Sequence, residues 1–151
     1  MTPKKKLFVT FVSLILVLSI LSPTTAMAAG SESIMPCASY YLSAYNTYIC
    51  AMGSGRIEVW FEVMGTGYMD DIGTLSIRLY ESSDNSNWSL VKTFLHENYS
   101  SILGHYDYYH LSCVSYQGTA KKYYKAYVCI WAGNENVGDT RYMWATSVRA
   151  T

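Results

Sequence analysis

His105, Asp107 and His110 form the cluster of this sequence in which histidines and a carboxylate lie closest together. Imidazole is a common zinc ligand, so the cluster raises the question of a metal site. Side chains of an extended strand alternate between its two faces, so positions 105 and 107 share a face and position 110 points the other way. The spacing therefore does not present three ligands together, and we predict polar surface residues and no metal site here.

Two further groups of oxygen-bearing side chains raise the question of calcium, Asp70-Asp71 and the run Asp84-Asn85-Ser86-Asn87. A calcium ion takes about six to eight oxygen ligands, which is more than either group supplies alone. Asp and Asn side chains also form turns by hydrogen-bonding their own backbone. We expect turns at both places, and the sequence leaves calcium binding open.

Catalytic residues are not predicted. No serine lies in the G-x-S-x-G frame of hydrolases. Glu58 and Glu62, a pair of carboxylates of the kind a glycosidase needs, alternate with apolar residues, so strand parity places both on the solvent side. We expect a non-enzymatic protein without a cofactor, and an envelope hydrolase stays as an alternative.

The four cysteines are Cys37, Cys50, Cys113 and Cys129. An even number of cysteines in an exported chain predicts two disulfides, and four cysteines allow three connectivities. A zinc site is the alternative, but the cysteines are scattered and contain no C-x-x-C pair. Strand parity indicates that Cys129 faces away from the core.

Aromatic residues are the most distinctive feature of the chain, which has 15 tyrosines and 4 tryptophans. Trp60 falls on the polar side of its strand, and Tyr127 and Trp131 share the parity of Lys125. Exposed aromatic rings stack on sugars or form adhesive protein surfaces. We therefore predict Trp60, Tyr127 and Trp131 as binding residues. The alternative is that these rings only form cross-strand pairs that cover the sheet.

These residues must be positioned by β-strands. Ile57, Val59, Phe61 and Val63 alternate with mostly charged residues, which predicts a strand with one buried face. Leu75, Ile77 and Leu79 repeat this alternation, and Gly65-Thr66-Gly67 with Asp70-Asp71 are expected to connect the two strands. Similar runs separated by glycine and Asp/Asn clusters indicate about seven strands and no convincing helix. The expected fold is an all-β, two-layer antiparallel sandwich, Ig-like or fibronectin-like. Tyr123 or Tyr124, just after a predicted hairpin turn, is expected to form a tyrosine corner.

The N-terminus has the order of a secretory signal: Lys4-Lys5-Lys6, an apolar run over 7–21, and small residues ending at Ala28. We predict a signal peptide over 1–28, a flexible tail over 29–38 and the β-sandwich domain over 39–151. Three of the 11 basic residues lie in the leader, which leaves 8 basic against 11 acidic residues and a formal charge of −3. Such a secreted, mildly acidic chain is not expected to bind nucleic acid, nor to keep a membrane anchor after cleavage.

Three stretches carry a family resemblance, Tyr40 to Asn46, Gly73 to Ser82 and Tyr123 to Val128. With Asp84-Asn85-Ser86-Asn87-Trp88 they resemble an uncharacterised family of small secreted single-domain proteins from Gram-positive bacteria. A fainter likeness, in Trp144-Ala145-Thr146 and the tyrosine content, is to lactococcin 972-type bacteriocins. The first resemblance implies a secreted bacterial protein and no particular site.

The function expected from these observations is a secreted binding module that contacts a glycan or an extracellular protein through exposed aromatics. The alternative is a secreted, bacteriocin-like antibacterial protein that acts on competitor envelopes. The sequence does not separate the two, and it leaves the oligomeric state open.

Overall fold

The computed structural model describes residues 39–135 and 137–151. The predicted signal peptide, the N-terminal tail and Cys37 lie outside these residues. The described chain forms six strands and one short 3-10 turn: β1 (Leu42–Gly53), β2 (Arg56–Ser82), β3 (Ser89–Leu95), η1 (Ser100–Ile102), β4 (Leu103–Gln117), β5 (Tyr123–Asn134) and β6 (Val137–Arg149). Within this part of the chain no helix is long and apolar enough to cross a membrane.

Strand β2 is the spine of the fold, because its 27 residues pair along both edges. Its first half lies between β1 and β4, and its second half lies between β5 and β3. Strand β6 extends the sheet beyond β5, and every pairing is antiparallel. The result is one six-stranded sheet that curls into a half-barrel.

The all-β antiparallel prediction is confirmed, but the finer architecture differs from the expected two-layer sandwich of about seven strands. Gly65-Thr66-Gly67 and Asp70-Asp71 were expected to form a connection, whereas they lie inside β2. Residues 65–68 interrupt the pairing with β4 but remain in β2, and Asp71 pairs on both edges, opposite His105 of β4 and Gly133 of β5. Two expected strands therefore become one, and the chain has no turn there at which to start a second sheet.

The core fills the inner side of the curled sheet. Ile57, Val59, Phe61 and Val63 are buried, as their alternation predicted. Leu75 was expected to continue this pattern, but the pairing with β5 shifts register between Thr74 and Ser76, and Leu75 is only partly buried. Ile77 and Leu79 after the shift are fully buried.

Gly73 is required where η1 crosses β2. Its φ of 142° lies in a region that L side chains rarely adopt. A Cβ built at this position would lie 2.4 Å from the carbonyl oxygen of Ile102. The close approach lets Ile102 reach the core, where its side chain is fully buried.

Tyr124 forms the predicted corner between β4 and β5. Its ring is fully buried, and its hydroxyl accepts a hydrogen bond from the Thr119 amide at 2.7 Å. The same hydroxyl donates to the Glu81 carboxylate, which also receives the Lys122 ammonium. Burial raises the pKa of Glu81, but the hydrogen bonds from Lys122 and Tyr124 outweigh it and hold the pKa below its ordinary value. The expected tyrosine corner is thus confirmed at Tyr124, although no second sheet surrounds it.

Asp139 ties the start of the described chain to β6. Its carboxylate accepts hydrogen bonds from the Ser39 hydroxyl and, at 3.0 Å, from the Tyr41 amide. The Ser39 oxygen in turn accepts the Leu42 amide at 2.7 Å. The hydrogen bond from Ser39, followed by those of the backbone, lowers the pKa of Asp139 below its ordinary value.

Candidate functional site

A continuous group of aromatic side chains covers the outer face of the sheet where β2, β5 and β6 meet. We name it the aromatic patch and define it by six residues: Tyr80, Trp88, Lys125, Tyr127, Tyr142 and Trp144. Tyr142 and Trp144 are its most open members, with 61% and 51% of their surface exposed. The patch is therefore a surface and not part of the core.

Strand register explains why these residues meet. Tyr127 of β5 lies between Arg78 of β2 and Trp144 of β6, and Lys125 lies opposite Tyr80. Ala126 and Val128 are fully buried on the inner face, so alternation turns residues 125, 127 and 129 outward. The buried inner side chains pack into the core and thereby fix the position of the outward-facing side chains.

The rings form an unbroken series. The Tyr127 centroid lies 4.7 Å from that of Trp144, with the planes tilted by 42°, and 5.6 Å from that of Tyr142, with the planes nearly parallel at 10°. Tyr80 continues the series, with its centroid 5.5 Å from Trp144. Such contacts are each worth about 0.5–1.5 kcal/mol beyond burial, so the rings hold one another in place.

Lys125 places a positive charge inside this group of rings. Its Nζ lies 4.4 Å from the Trp88 centroid and 4.5 Å from the Trp144 centroid. An ammonium over an indole face is attracted by the ring quadrupole. Lys125 therefore joins Trp88, which precedes β3, to Trp144 on β6.

Cys129 lies on the same outer face, as its parity indicated, but it is only 7% exposed. It lies directly opposite Tyr142 of β6. Burial raises the pKa of Cys129, and the Tyr142 hydrogen bond and the Arg78 charge only partly offset this effect. The thiol thus lies beneath the patch and ionises less readily than an exposed thiol.

Trp60 lies outside the patch, on the first half of β2. Its ring stacks on Tyr48 with a centroid distance of 6.2 Å and parallel planes. Its Nε1 donates to the Glu58 carboxylate at 3.2 Å. The ring is half-buried beside an acid, which is a setting different from that of Tyr127.

Trp131 shares the outer face of β5 with Tyr127 but covers backbone. A Cβ built at Gly133 or Gly138 would lie 2.8 or 2.7 Å from the Trp131 ring. The absent glycine side chains let the indole lie flat on the β5–β6 hairpin. Of the three predicted binding residues, only Tyr127 belongs to the aromatic patch.

Sequence reasoning did not single out Tyr80, Trp88, Tyr142 and Trp144 as site residues. Tyr142 and Trp144 alternate with Met143 and Ala145, so parity alone would have placed both rings on one face. Trp88 carries no such signal, because it lies before β3, and its ring contacts the Lys125 ammonium.

The histidine cluster is dispersed by the fold. His105 Nδ1 lies 2.6 Å from an Asp71 carboxylate oxygen, while Asp107 accepts the Tyr108 amide at 2.7 Å. His110 packs on Phe61, and its Nε2 lies 3.0 Å from the Ser101 carbonyl oxygen. Across residues 39–135 and 137–151 no group of three or more His, Cys, Asp or Glu side chains is placed to hold a metal ion.

The two acidic runs form backbone contacts. Asp84 accepts the amides of Ser86 and Asn87 at 2.9 and 2.8 Å, which is an Asx-type turn. These hydrogen bonds, with that of the Asn87 amide the strongest, hold the pKa of Asp84 well below its ordinary value. Asp70 accepts the Glu135 amide at 2.7 Å.

Cys50, Cys113 and Cys129 are free thiols in the structure. Each of the three connectivities considered for two disulfides joins at least two of these cysteines, because only Cys37 lies outside the described residues. The predicted pair of disulfides is therefore wrong. Cys50 is opposite Glu58 and Cys113 is opposite Trp60, so β2 separates the two strands that carry them.

No protein-family model matches this chain, and no curated protein matches it significantly.

Proposed function

We propose that this chain is a secreted, non-enzymatic binding module that contacts an extracellular glycan through the aromatic patch. The observation that carries the proposal is the unbroken series of rings on the outer face, of which Tyr142 and Trp144 are more than half exposed. Aromatic faces pack against the apolar faces of sugar rings, and Trp and Tyr contribute most to binding energy at protein surfaces.

The backing of the patch also favours binding. β5 and β6 pair from Tyr123–Arg149 to Asn134–Val137, and Ala145 beneath the exposed rings is buried. Rings that a ligand does not have to order cost less conformational entropy on binding. A rigid, exposed row of aromatics is therefore better suited to a ligand than the same rings on a loop.

The test is a screen of the purified protein on a glycan array, followed by affinity measurements on the best ligand. We expect Trp144→Ala and Tyr142→Ala each to weaken binding about tenfold or more, as for residues that dominate an interface. Tyr40→Ala is the matched control, because Tyr40 is 92% exposed and lies outside the patch.

Circular dichroism and thermal melting establish that the variants are folded. Binding to a purified extracellular protein with no binding to any glycan would replace the glycan by a protein partner. If folded Trp144→Ala and Tyr142→Ala bind every ligand as the wild type does, the aromatic patch is not the binding surface.

A further inference from the structure

Lys125 of the aromatic patch and Arg78 beside the patch are two positive charges without a carboxylate partner. Across the described residues, the ion pairs of lysine and arginine are Arg56–Glu58 and Lys122–Glu81, and neither involves Arg78 or Lys125. Arg78 is exposed and Lys125 is half-buried. Six of the eight lysines and arginines in the described residues form no ion pair, and Arg78 and Lys125 are the two of these that lie next to Tyr127 on the outer face.

The two cations flank one ring. Arg78 lies directly opposite Tyr127 across β2 and β5, and Lys125 precedes Tyr127 by two positions on the same face. Arg78 and Lys125 are thus diagonal neighbours, for which the typical separation is roughly 7–8 Å. A ring stacked at Tyr127 would bring a substituent within reach of both cations.

The position of Lys125 also excludes one class of ligand. Two facing indoles commonly bind a cation, but the Lys125 ammonium already lies over both Trp88 and Trp144. A cationic ligand would have to displace it and would meet Arg78 nearby. An anionic group instead finds ammonium and guanidinium donors that have no counter-ion.

We infer that the ligand of the aromatic patch is an acidic polysaccharide, whose sugar rings stack at Tyr127, Tyr142 and Trp144 while its carboxylate or phosphate groups bind Arg78 and Lys125. This inference rests on the proposed function and narrows its ligand class. Planar guanidinium binds carboxylate and phosphate through paired hydrogen bonds, and the lysine acts as a point charge. Selectivity for acidic polysaccharides comes from the combination of aromatic rings and cations, because a neutral glycan contacts the rings alone and a ring-free polyanion contacts the cations alone.

The experiment compares polygalacturonic acid with its carboxyl-reduced form, which keeps the sugar rings and lacks the charge. A phosphate-substituted glucan tests whether phosphate replaces carboxylate, and ring-free poly(glycerol phosphate) tests charge alone. We expect at least one acidic polysaccharide to bind about tenfold more tightly than its neutral counterpart, since one charge-assisted hydrogen bond supplies that factor. Binding should weaken as salt rises, because the cations lie at the surface.

Lys125→Met and Arg78→Gln are the decisive variants, because each keeps much of the side-chain length and removes the charge. Each should lower the affinity for the acidic polymer about tenfold and lower the affinity for the reduced polymer by a clearly smaller factor. Lys121→Met removes an equal charge from an exposed turn position outside the patch and should change neither. If one of these two variants fails to fold, the other still tests the proposal.

The two proposals fail separately. Equal binding of the acidic and reduced polymers, with Trp144→Ala still destroying both, overturns the acidic ligand and keeps the glycan surface. Equally tight binding of poly(glycerol phosphate), unaffected by Trp144→Ala, overturns the combined recognition of ring and charge. No loss of acidic-polymer binding in folded Lys125→Met and Arg78→Gln also overturns it.

Discussion

Replacing Tyr124 by phenylalanine removes one hydroxyl from the corner that joins β4, β5 and the end of β2. The ring is fully buried and stays in place, so the substitution tests the hydroxyl alone. Two contacts are lost, the hydrogen bond donated to the Glu81 carboxylate and the one accepted from the Thr119 amide. Thr119 is exposed, so water can satisfy its amide after the substitution.

The size of the destabilisation follows from the loss of the hydrogen bond to Glu81. A hydrogen bond to a charged group contributes about 1.5–3 kcal/mol, and Glu81 loses one of its two strong donors. We therefore expect Tyr124→Phe to lower the free energy of unfolding by about 1.5–3 kcal/mol at pH 7. Urea denaturation followed by tryptophan fluorescence measures this, and the m-value should be unchanged because the surface exposed on unfolding is the same.

The charge of Glu81 makes the stability difference between wild type and Tyr124→Phe depend on pH. The folded pKa of Glu81 is below its ordinary value of 4.5, so its ionic contacts stabilise the fold above that pH. This stabilisation is lost as the pH falls through the folded pKa. The difference between wild type and Tyr124→Phe should therefore shrink as the pH is lowered below 4.5.

Tyr123→Phe is the control, because Tyr123 is the neighbouring residue and contacts Arg149 through its ring. Its loss should stay within about 0.5 kcal/mol, the usual range for surface changes. A Tyr124→Phe loss no larger than that of the control at pH 7 would refute the assignment. A difference that stays constant below pH 4.5 would refute the role of the Glu81 charge.

Three further perturbations test other parts of the fold. Gly73→Ala should destabilise the protein by about 1–3 kcal/mol in urea denaturation, because its Cβ meets a backbone oxygen, and an unchanged midpoint would contradict that contact. Asp139→Asn should lower the free energy of unfolding by about 1 kcal/mol and speed hydrogen exchange at the first described residues. In the wild type the stabilisation by Asp139 should fade below pH 3.8. Equal exchange in both proteins would contradict the role of Asp139 in holding this segment. Alkylation in denaturant without reductant should label Cys50, Cys113 and Cys129, with Cys129 labelled slowest in the native protein, and a disulfide-linked peptide joining any two of them would contradict the free thiols.

Alternation along a strand was readable in the sequence, and continuity between strands was not. Ile57 to Val63 was predicted with its buried face correct, because parity is a local property of an extended chain. The segment after it contains Gly65, Gly67 and Asp70-Asp71, which locally favour a turn. Its extended form depends on partners far along the chain, such as His105 and Gly133 beside Asp71, and no local pattern reports them.

The same limit applies to the aromatic patch. Parity correctly placed Tyr127 on the outer face, but it gave no register between β5 and β6. Only that register brings Trp144 beside Tyr127. Trp60 and Trp131 shared the parity argument and were separated from the patch by contacts of their own, an acid in one case and glycine backbone in the other.

The charges along β2 give a physical reason why the two outer aromatic surfaces differ. Trp60 lies between Glu58 and Glu62 on one half of the strand, and Tyr127 faces Arg78 on the other half. A polyanion is repelled by the first surface and attracted by the second, because surface potentials of either sign act before contact is made. Exposed aromatic surface alone therefore does not define the site. If the aromatic patch binds a glycan as proposed, the sign of the neighbouring charge favours an acidic ligand at Tyr127 over one at Trp60.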